Sequence, residues 1–114
     1  MLSAVNLSLS GIHAAFKQLN VSANNVANSN TDGFKGDRVT LSEGKNGGVA
    51  TNIEKSNAPG PLYQPTTGML AEASNVNLAE EMVSQITSRH ILGANIAAYK
   101  TADEMHSALL DIFA

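Results

Sequence analysis

The 114-residue chain has no cysteine and no tryptophan, and aromatic residues make up only 4% of it. Without cysteine there is no disulfide framework and no thiolate metal site, and the redox compartment stays open. With so few aromatics, any core must rest on aliphatic side chains. Charge is sparse as well: seven Lys and Arg against ten Asp and Glu leave a net charge of -3. No basic cluster occurs, which argues against nucleic acid as a partner, because phosphate binding uses grouped Lys and Arg. No apolar run approaches the ~20 residues of a membrane span, so membrane insertion is not expected. No basic segment leads into an apolar block and a small-residue cleavage site, so a conventional secretory signal is not expected either. Phosphate-loop, nucleophile-elbow and zinc-helix motifs are all missing. The chain reads as a non-enzyme with no cofactor, no metal and no small-molecule substrate.

What is present begins with a stripe. Leu2, Val5, Leu9, Ile12, Phe16, Leu19, Ala23 and Val26 follow one another at alternating gaps of three and four. That heptad spacing predicts a helix laid along another helix, roughly 37 Å long at ~1.5 Å per residue. The remaining faces are unusual, since residues 1–30 carry Lys17 as their one charge and are otherwise rich in Asn and Ser. A neutral amide and hydroxyl face suits a surface that meets another protein surface, where charges would have to be desolvated. Asn28-Ser29-Asn30-Thr31-Asp32-Gly33 then stops the helix with residues that tolerate left-handed backbone, and Phe34 follows as an apolar anchor.

The middle differs in character. Val39 and Leu41, then Val49, Thr51 and Ile53, alternate with polar residues around the turn-forming stretch 42–48. This predicts a small β-hairpin, which must lean on the helices or on a neighbouring subunit, because a lone hairpin is only marginally stable. Ala58 to Pro65, with three prolines and a glycine, breaks regular structure and leaves Leu62 and Tyr63 as docking residues.

A last helix starts at Asn77, whose capping-box spacing to Glu80 is followed by Glu81 in the first turn. No proline interrupts it up to Phe113. Its apolar residues form two stripes: Leu78, Met82, Ile86, Leu92, Ile96 and Tyr99 on one side; Ile91, Ala98, Ala102, Met105, Leu109 and Ile112 nearly opposite. A helix apolar on two sides must be covered on two sides. The first helix covers one, and a second copy or a related chain is expected on the other.

Other motifs carry little. Asn28-x-Asn30-x-Asp32-Gly33 imitates the opening of a calcium loop, but Val39 stands where the twelfth-position Glu is needed. His13, His90 and His106 share no metal-ligand spacing, and Asp103 and Glu104 read as a solvated helix face beside Lys100. The sequons at Asn6 and Asn20 lie inside the predicted helix and are discounted.

Residues 23–35, Ala-Asn-Asn-Val-Ala-Asn-Ser-Asn-Thr-Asp-Gly-Phe-Lys, resemble the N-terminal signature of the bacterial flagellar rod and hook axial proteins. Asn24, Asn25, Asn28, Asn30, Thr31, Gly33 and Phe34 carry that turn motif. Asn75 to Met82 resembles the start of the family's C-terminal helix, and Asn95 and Thr101 to Met105 match later parts of it. Arg89-His90-Ile91-Leu92 departs from the family's Arg followed by Ala-Tyr or Ser-Tyr. The resemblance is strong at both ends and weak in the middle, where larger relatives insert whole β-domains.

The resemblance implies a structural subunit of the basal-body rod, most like the small proximal-rod proteins. It implies export by the flagellar type III apparatus as an unfolded, uncleaved chain, and a place in the periplasmic rod. The expected fold is mainly α: a single elongated domain, 1–114, whose helices over 1–30 and 77–113 form an antiparallel coiled-coil-like hairpin, with a β-hairpin and irregular loop over 31–76. The expected assembly residues are Leu2, Val5, Leu9, Ile12, Phe16, Leu19 and Val26 on the first helix. On the last they are Met82, Ile86, Leu92, Ile96, Met105, Leu109 and Ile112. The expected partners are copies of itself and other rod and hook proteins, in a tube that transmits torque to the hook. Two rival readings are a distal-rod or hook relative without its inserted domain, and a cytoplasmic coiled-coil adaptor of the export system.

Overall fold

A computed structural model describes residues 2–66 and 68–113, with the side chains of Leu2 and Phe113 outside the described set. The element order is α1 (Leu2–Ala27), β1 (Asp37–Glu43), β2 (Val49–Lys55), β3 (Leu62–Tyr63), β4 (Ala71–Glu72) and α2 (Leu78–Phe113). The molecule is a rod of 77 × 24 × 16 Å.

α1 ends three residues before the expected boundary. The Asn28 amide N–H donates to the Asn24 carbonyl (3.1 Å), and its side-chain Nδ2 donates to the same oxygen (3.0 Å). That side-chain bond competes with helix continuation and closes the last turn. Of the residues that tolerate left-handed backbone here, Gly33 alone uses it, at φ 68°. At the other end of the fold, the Asn77 side chain accepts from the Ala79 N–H (3.1 Å) and donates to Glu80 Oε1 (3.2 Å), so the capping residue predicted for α2 is in place.

The helices run antiparallel, because Asn25 and Ser22 meet Glu81, Gln18 meets Ser88, and Gly11 lies against Asn95. The contact surface corrects the sequence reading. Its residues on α1 are Gly11, Ala15, Gln18, Ser22 and Asn25, a second heptad register made of small and polar side chains. On α2 they include Glu81, Ser88, Asn95 and Ala102. Ala14, Ala15 and Ala102 are the buried apolar residues, while Ser22, Asn25 and Ser88 are buried and polar. The leucine stripe is not the seam: Leu9 and Phe16 stay exposed, the latter at 50%. Close helix approach explains the choice. A Cβ on Gly11 would stand 2.6 Å from Asn95 Cγ, so the absence of a side chain there leaves room for Asn95 in this position. Leucines facing each other would hold the axes further apart.

β1 and β2 form the predicted antiparallel hairpin, in a register that pairs Asp37 with Lys55, Val39 with Ile53 and Glu43 with Val49. Gly47 and Gly48, both at positive φ, turn the chain between them. The hairpin leans on α1, as expected. Its far end is held by the Val49 N–H donating to Ser10 Oγ (3.1 Å). Its near end is held by Asn25. The Pro/Gly segment is more ordered than its sequence suggests, because Leu62–Tyr63 pairs antiparallel with Ala71–Glu72. Leu62 does not dock and is 68% exposed, whereas the Tyr63 hydroxyl donates to the Asp32 carboxylate at 2.9 Å.

Candidate assembly surface

Two arrangements of residues bear on function: a polar hub that fixes the relation of helices and hairpin, and the apolar surface which that relation leaves uncovered.

The hub is Asn25. Its Nδ2 donates to the Asp37 carbonyl (2.7 Å) and to Glu81 Oε1 (2.8 Å), and its Oδ1 accepts from the Asp37 N–H (3.0 Å). The amide thus pairs with both backbone groups of Asp37 as a neighbouring strand would, and ties α1, β1 and α2 at one point. Ser22 supports it by donating to the Glu81 carbonyl (3.2 Å). Gly36, next in line, is buried, and a Cβ there would meet Val76 Cγ2 at 3.2 Å.

Asn75 does similar work at the other end of the loop. Its Oδ1 accepts from the Gly36 N–H (2.8 Å), and its Nδ2 donates to Ser56 Oγ (3.1 Å) and to the Ala58 carbonyl (2.9 Å). Beside it, Lys35 forms an ion pair with Glu72, whose carboxylate also accepts from the Gly60 N–H (2.6 Å). These two donors, Lys35 first, hold the Glu72 carboxyl below its ordinary pKa. The bond from Tyr63 to Asp32, with some loss of solvent and the Asp32 charge, pushes the Tyr63 phenol up.

The rest of the turn motif surrounds this hub. Thr31 donates its N–H to the Asn28 carbonyl, Phe34 donates to Thr31, and the Gly33 N–H reaches the Glu72 carbonyl at 2.7 Å. Phe34 is half-buried, and Asn24 and Asn30 are exposed. The sequence marks Asn25 only through the turn motif of residues 23–35. Its placement in the Gly11–Ala15–Gln18–Ser22–Asn25 heptad was the available sign that it faces inward.

The apolar stripes lie elsewhere. At 100° per residue, the leucine stripe of α1 is centred about 110° from the seam, on the side away from the hairpin. On α2, Glu80, Glu81, Val83 and Ser84 line a cleft of about 300 Å³ together with β1 and α1. Met82 and Ile86 turn away from that cleft, toward the same open side as the leucine stripe. The two helices therefore present one broad face there: Leu9, Phe16, Met82, Ile86 and Ile96 exposed, and Val5, Ile12, Leu19, Val26 and Leu92 half-covered. The side chain of Leu2 is outside the described set. Past Ala102, α2 runs beyond the start of α1, and Met105, Leu109 and Ile112 are exposed there, Ile112 at 76%. The expectation that α1 covers one of the two α2 stripes is thus corrected. It packs in the valley between them and leaves both largely open.

No helix among the described residues is long and apolar enough to cross a membrane. The comparisons with known families agree with this helical, surface-rich architecture. Residues 6–35 match the family described as flagella basal body rod protein, and residues 66–112 match the one described as flagellar basal body rod FlgEFG protein C-terminal. The chain belongs to the flagellar basal-body rod family. No curated protein matches it. The two matched segments take in most of α1 with its turn motif, and β4 with most of α2; the β1–β2 hairpin lies outside both. Family membership identifies a structural component of the flagellar basal body, which serves motility. The two matched segments contain both helices' paired ends and their caps, including Asn25 and Asn75.

Proposed function

We propose that this rod-family chain is a structural subunit of the rod, most like the small proximal-rod proteins. It assembles with copies of itself and with other rod and hook proteins as one elongated unit. The observation that carries the reading is surface. The accessible area is 7993 Å², against about 6,000 Å² for a compact monomer of 11.9 kDa. The excess of roughly 2,000 Å² is more than the ~800 Å² that each partner contributes to one standard interface, so the area suffices for contacts on two sides. The broad apolar face opposite the hairpin, and the exposed end of α2 at Met105, Leu109 and Ile112, supply that area. Each uses residues assigned to assembly from the sequence.

Contacts of this kind, between different patches of identical chains, generate a helical tube where the rotation between neighbours does not close into a ring. Long helices packed side by side resist shear along the tube, which is the mechanical requirement for passing torque to the hook. The seam within one chain is small and polar, so the isolated helix pair is weakly held. That weakness suits a chain exported unfolded by the flagellar type III apparatus and consolidated in the polymer.

The test is whether the chain is recovered in purified hook–basal bodies and whether its deletion abolishes motility. Recovery only from the cytoplasm would overturn the reading in favour of an export adaptor. Circular dichroism against concentration is a second check: helicity should rise with concentration, and a fully helical monomer at micromolar concentration would count against assembly-driven ordering.

A further inference from the structure

We propose that strand β2 of one copy adds beside β1 of the next as a further antiparallel strand, its Ile53 entering the cleft between β1 and α2. This rests on the rod-assembly reading and names one contact within it.

Two bonds at the ends of the hairpin fix its hydrogen-bond parity. The Ser56 N–H donates to Gly36 (2.9 Å) and the Gly44 N–H to Gly48 (2.9 Å). Pairs that exchange bonds alternate along an antiparallel ladder. The backbone groups of Arg38, Thr40 and Ser42 therefore point toward β2, and those of Asp37, Val39 and Leu41 point away from it. On β2, those of Thr51, Ile53 and Lys55 point outward. Two outward positions are already occupied, Asp37 by Asn25 and the Val49 N–H by Ser10. Val39, Leu41, Thr51 and Ile53 meet no outward partner among the described residues.

Edge strands that avoid pairing carry charges, prolines or bulges. From Val49 to Ile53 there is no charge and no proline, and the strand pairs without a bulge. All seven residues of β2 are exposed.

The occupant follows from complementarity. The intrachain register sets Asp37 against Lys55 and Arg38 against Glu54. A second copy's β2 beside β1 in that register sets its Glu54 opposite Arg38, and its free Ile53 and Thr51 groups face the free Val39 and Leu41 groups; the added strand ends short of Asp37, whose outward edge Asn25 holds. Two β2 edges centred on Asn52 would bring no opposite charges together. Side chains on Val39 and Ile53 share one face of the ladder, and Val39 lines the cleft with Val21 and Val83. The incoming Ile53 is thus delivered to a cleft with three valines in its lining. The one ion pair across the mouth, Arg38 to Glu80 at 3.4 Å, is largely exposed and yields readily. The contact joins β1 to β2 of different copies, so it is head-to-tail and each copy keeps a free edge for the next.

Because the chain has no native cysteine, two singly substituted chains, Val39→Cys and Ile53→Cys, are mixed in equal amounts and oxidised. The proposed ladder sets these residues face to face with Cα atoms about 5.5 Å apart, within disulfide range. The expected result is a mixed dimer in about tenfold excess over that from Thr40→Cys with Ile53→Cys, since Thr40 faces the other side of the strand. An Ile53→Cys homodimer as the main product, or no mixed dimer up to about 1 mM, overturns the proposal. Thr51→Pro in the Ile53→Cys chain removes an outward amide and no intrachain ladder bond. It should lower the mixed dimer about tenfold with the helical circular dichroism signal retained; undiminished cross-linking also overturns the proposal. Recovery in hook–basal bodies is scored separately. Presence there without the cross-link removes the strand contact and leaves the rod reading standing. A cross-link in a chain absent from them does the reverse.

Discussion

Asn25 on α1 and Glu81 on α2 lie 56 residues apart and are joined by a 2.8 Å hydrogen bond from the Asn25 amide to a Glu81 carboxylate oxygen. The same amide holds both backbone groups of Asp37. One side chain therefore sets the register of the helix pair and the anchor point of the hairpin.

Asn25→Ala should lower stability by about 2–4 kcal/mol, because the Asp37 backbone groups and Glu81 lose their partner together. Asn24→Ala, one residue away and exposed, should stay within about 0.5 kcal/mol. Asn25→Asp keeps the acceptor for the Asp37 N–H but sets a second carboxylate against Glu81. Its deficit should equal or exceed that of Asn25→Ala, because like charges at this distance repel. Urea denaturation of the three variants checks this.

Two glycines in the helices should respond with opposite signs. Gly11→Ala collides with Asn95 and should destabilise by about 1–3 kcal/mol; Asn95→Ala in the same chain should restore most of the loss. A Cβ at Gly93 meets nothing within 4 Å. Gly93→Ala should therefore stabilise α2 by about 0.5–1 kcal/mol. Thermal melts of the single and double variants measure both.

Lys35 and the Gly60 N–H depress the Glu72 pKa, so this group's contribution is present above the pKa of an unfolded Glu. It fades as pH falls below about 4, through the lowered folded value. Glu72→Gln should flatten the acid limb of the stability profile and leave its alkaline limb alone. The Tyr63 phenol has the opposite sign: its pKa is raised, so its contribution holds below the ordinary tyrosine value and is lost as pH climbs through the raised one. Tyr63→Phe should flatten the alkaline limb only. Denaturation midpoints measured across pH separate the two.

Phe16→Asp and Met82→Asp change exposed positions, 50% and 56% accessible, and should alter the stability of the isolated chain by no more than about 1 kcal/mol. Each should nevertheless abolish concentration-dependent association in sedimentation and impair motility in cells. Ala15→Asp, at a position with no exposure, should unfold the chain outright, since it buries an unpaired charge in the seam. Association by Phe16→Asp equal to that of the unsubstituted chain would remove this face from the assembly.

Much of the architecture could be read from residue order. The N-cap at Asn77, the hairpin between Val39 and Ile53 and the stop after Ala27 follow from local chemistry: side-chain oxygens that cap, β-branched alternation, and glycine where φ turns positive. The β3–β4 pairing is not legible in the sequence, because two-residue strands leave no period to detect. The helix seam was misread for a different reason. α1 contains two heptad registers, one of Leu, Ile and Phe and one of Gly, Ala, Ser and Asn. Hydrophobicity favours the first as a seam, whereas close approach requires the second.

The sequence by itself determined the two long helices, the β1–β2 hairpin and the rod-family signature, because caps, turns and periodicity act within a few residues of chain. Only the tertiary structure decided which helix faces meet, since that depends on how near two axes come, which a heptad pattern alone does not give. By seating α2 on the small and polar face, it left Leu9 and Phe16 exposed and the rest of the described leucine stripe half-covered or open.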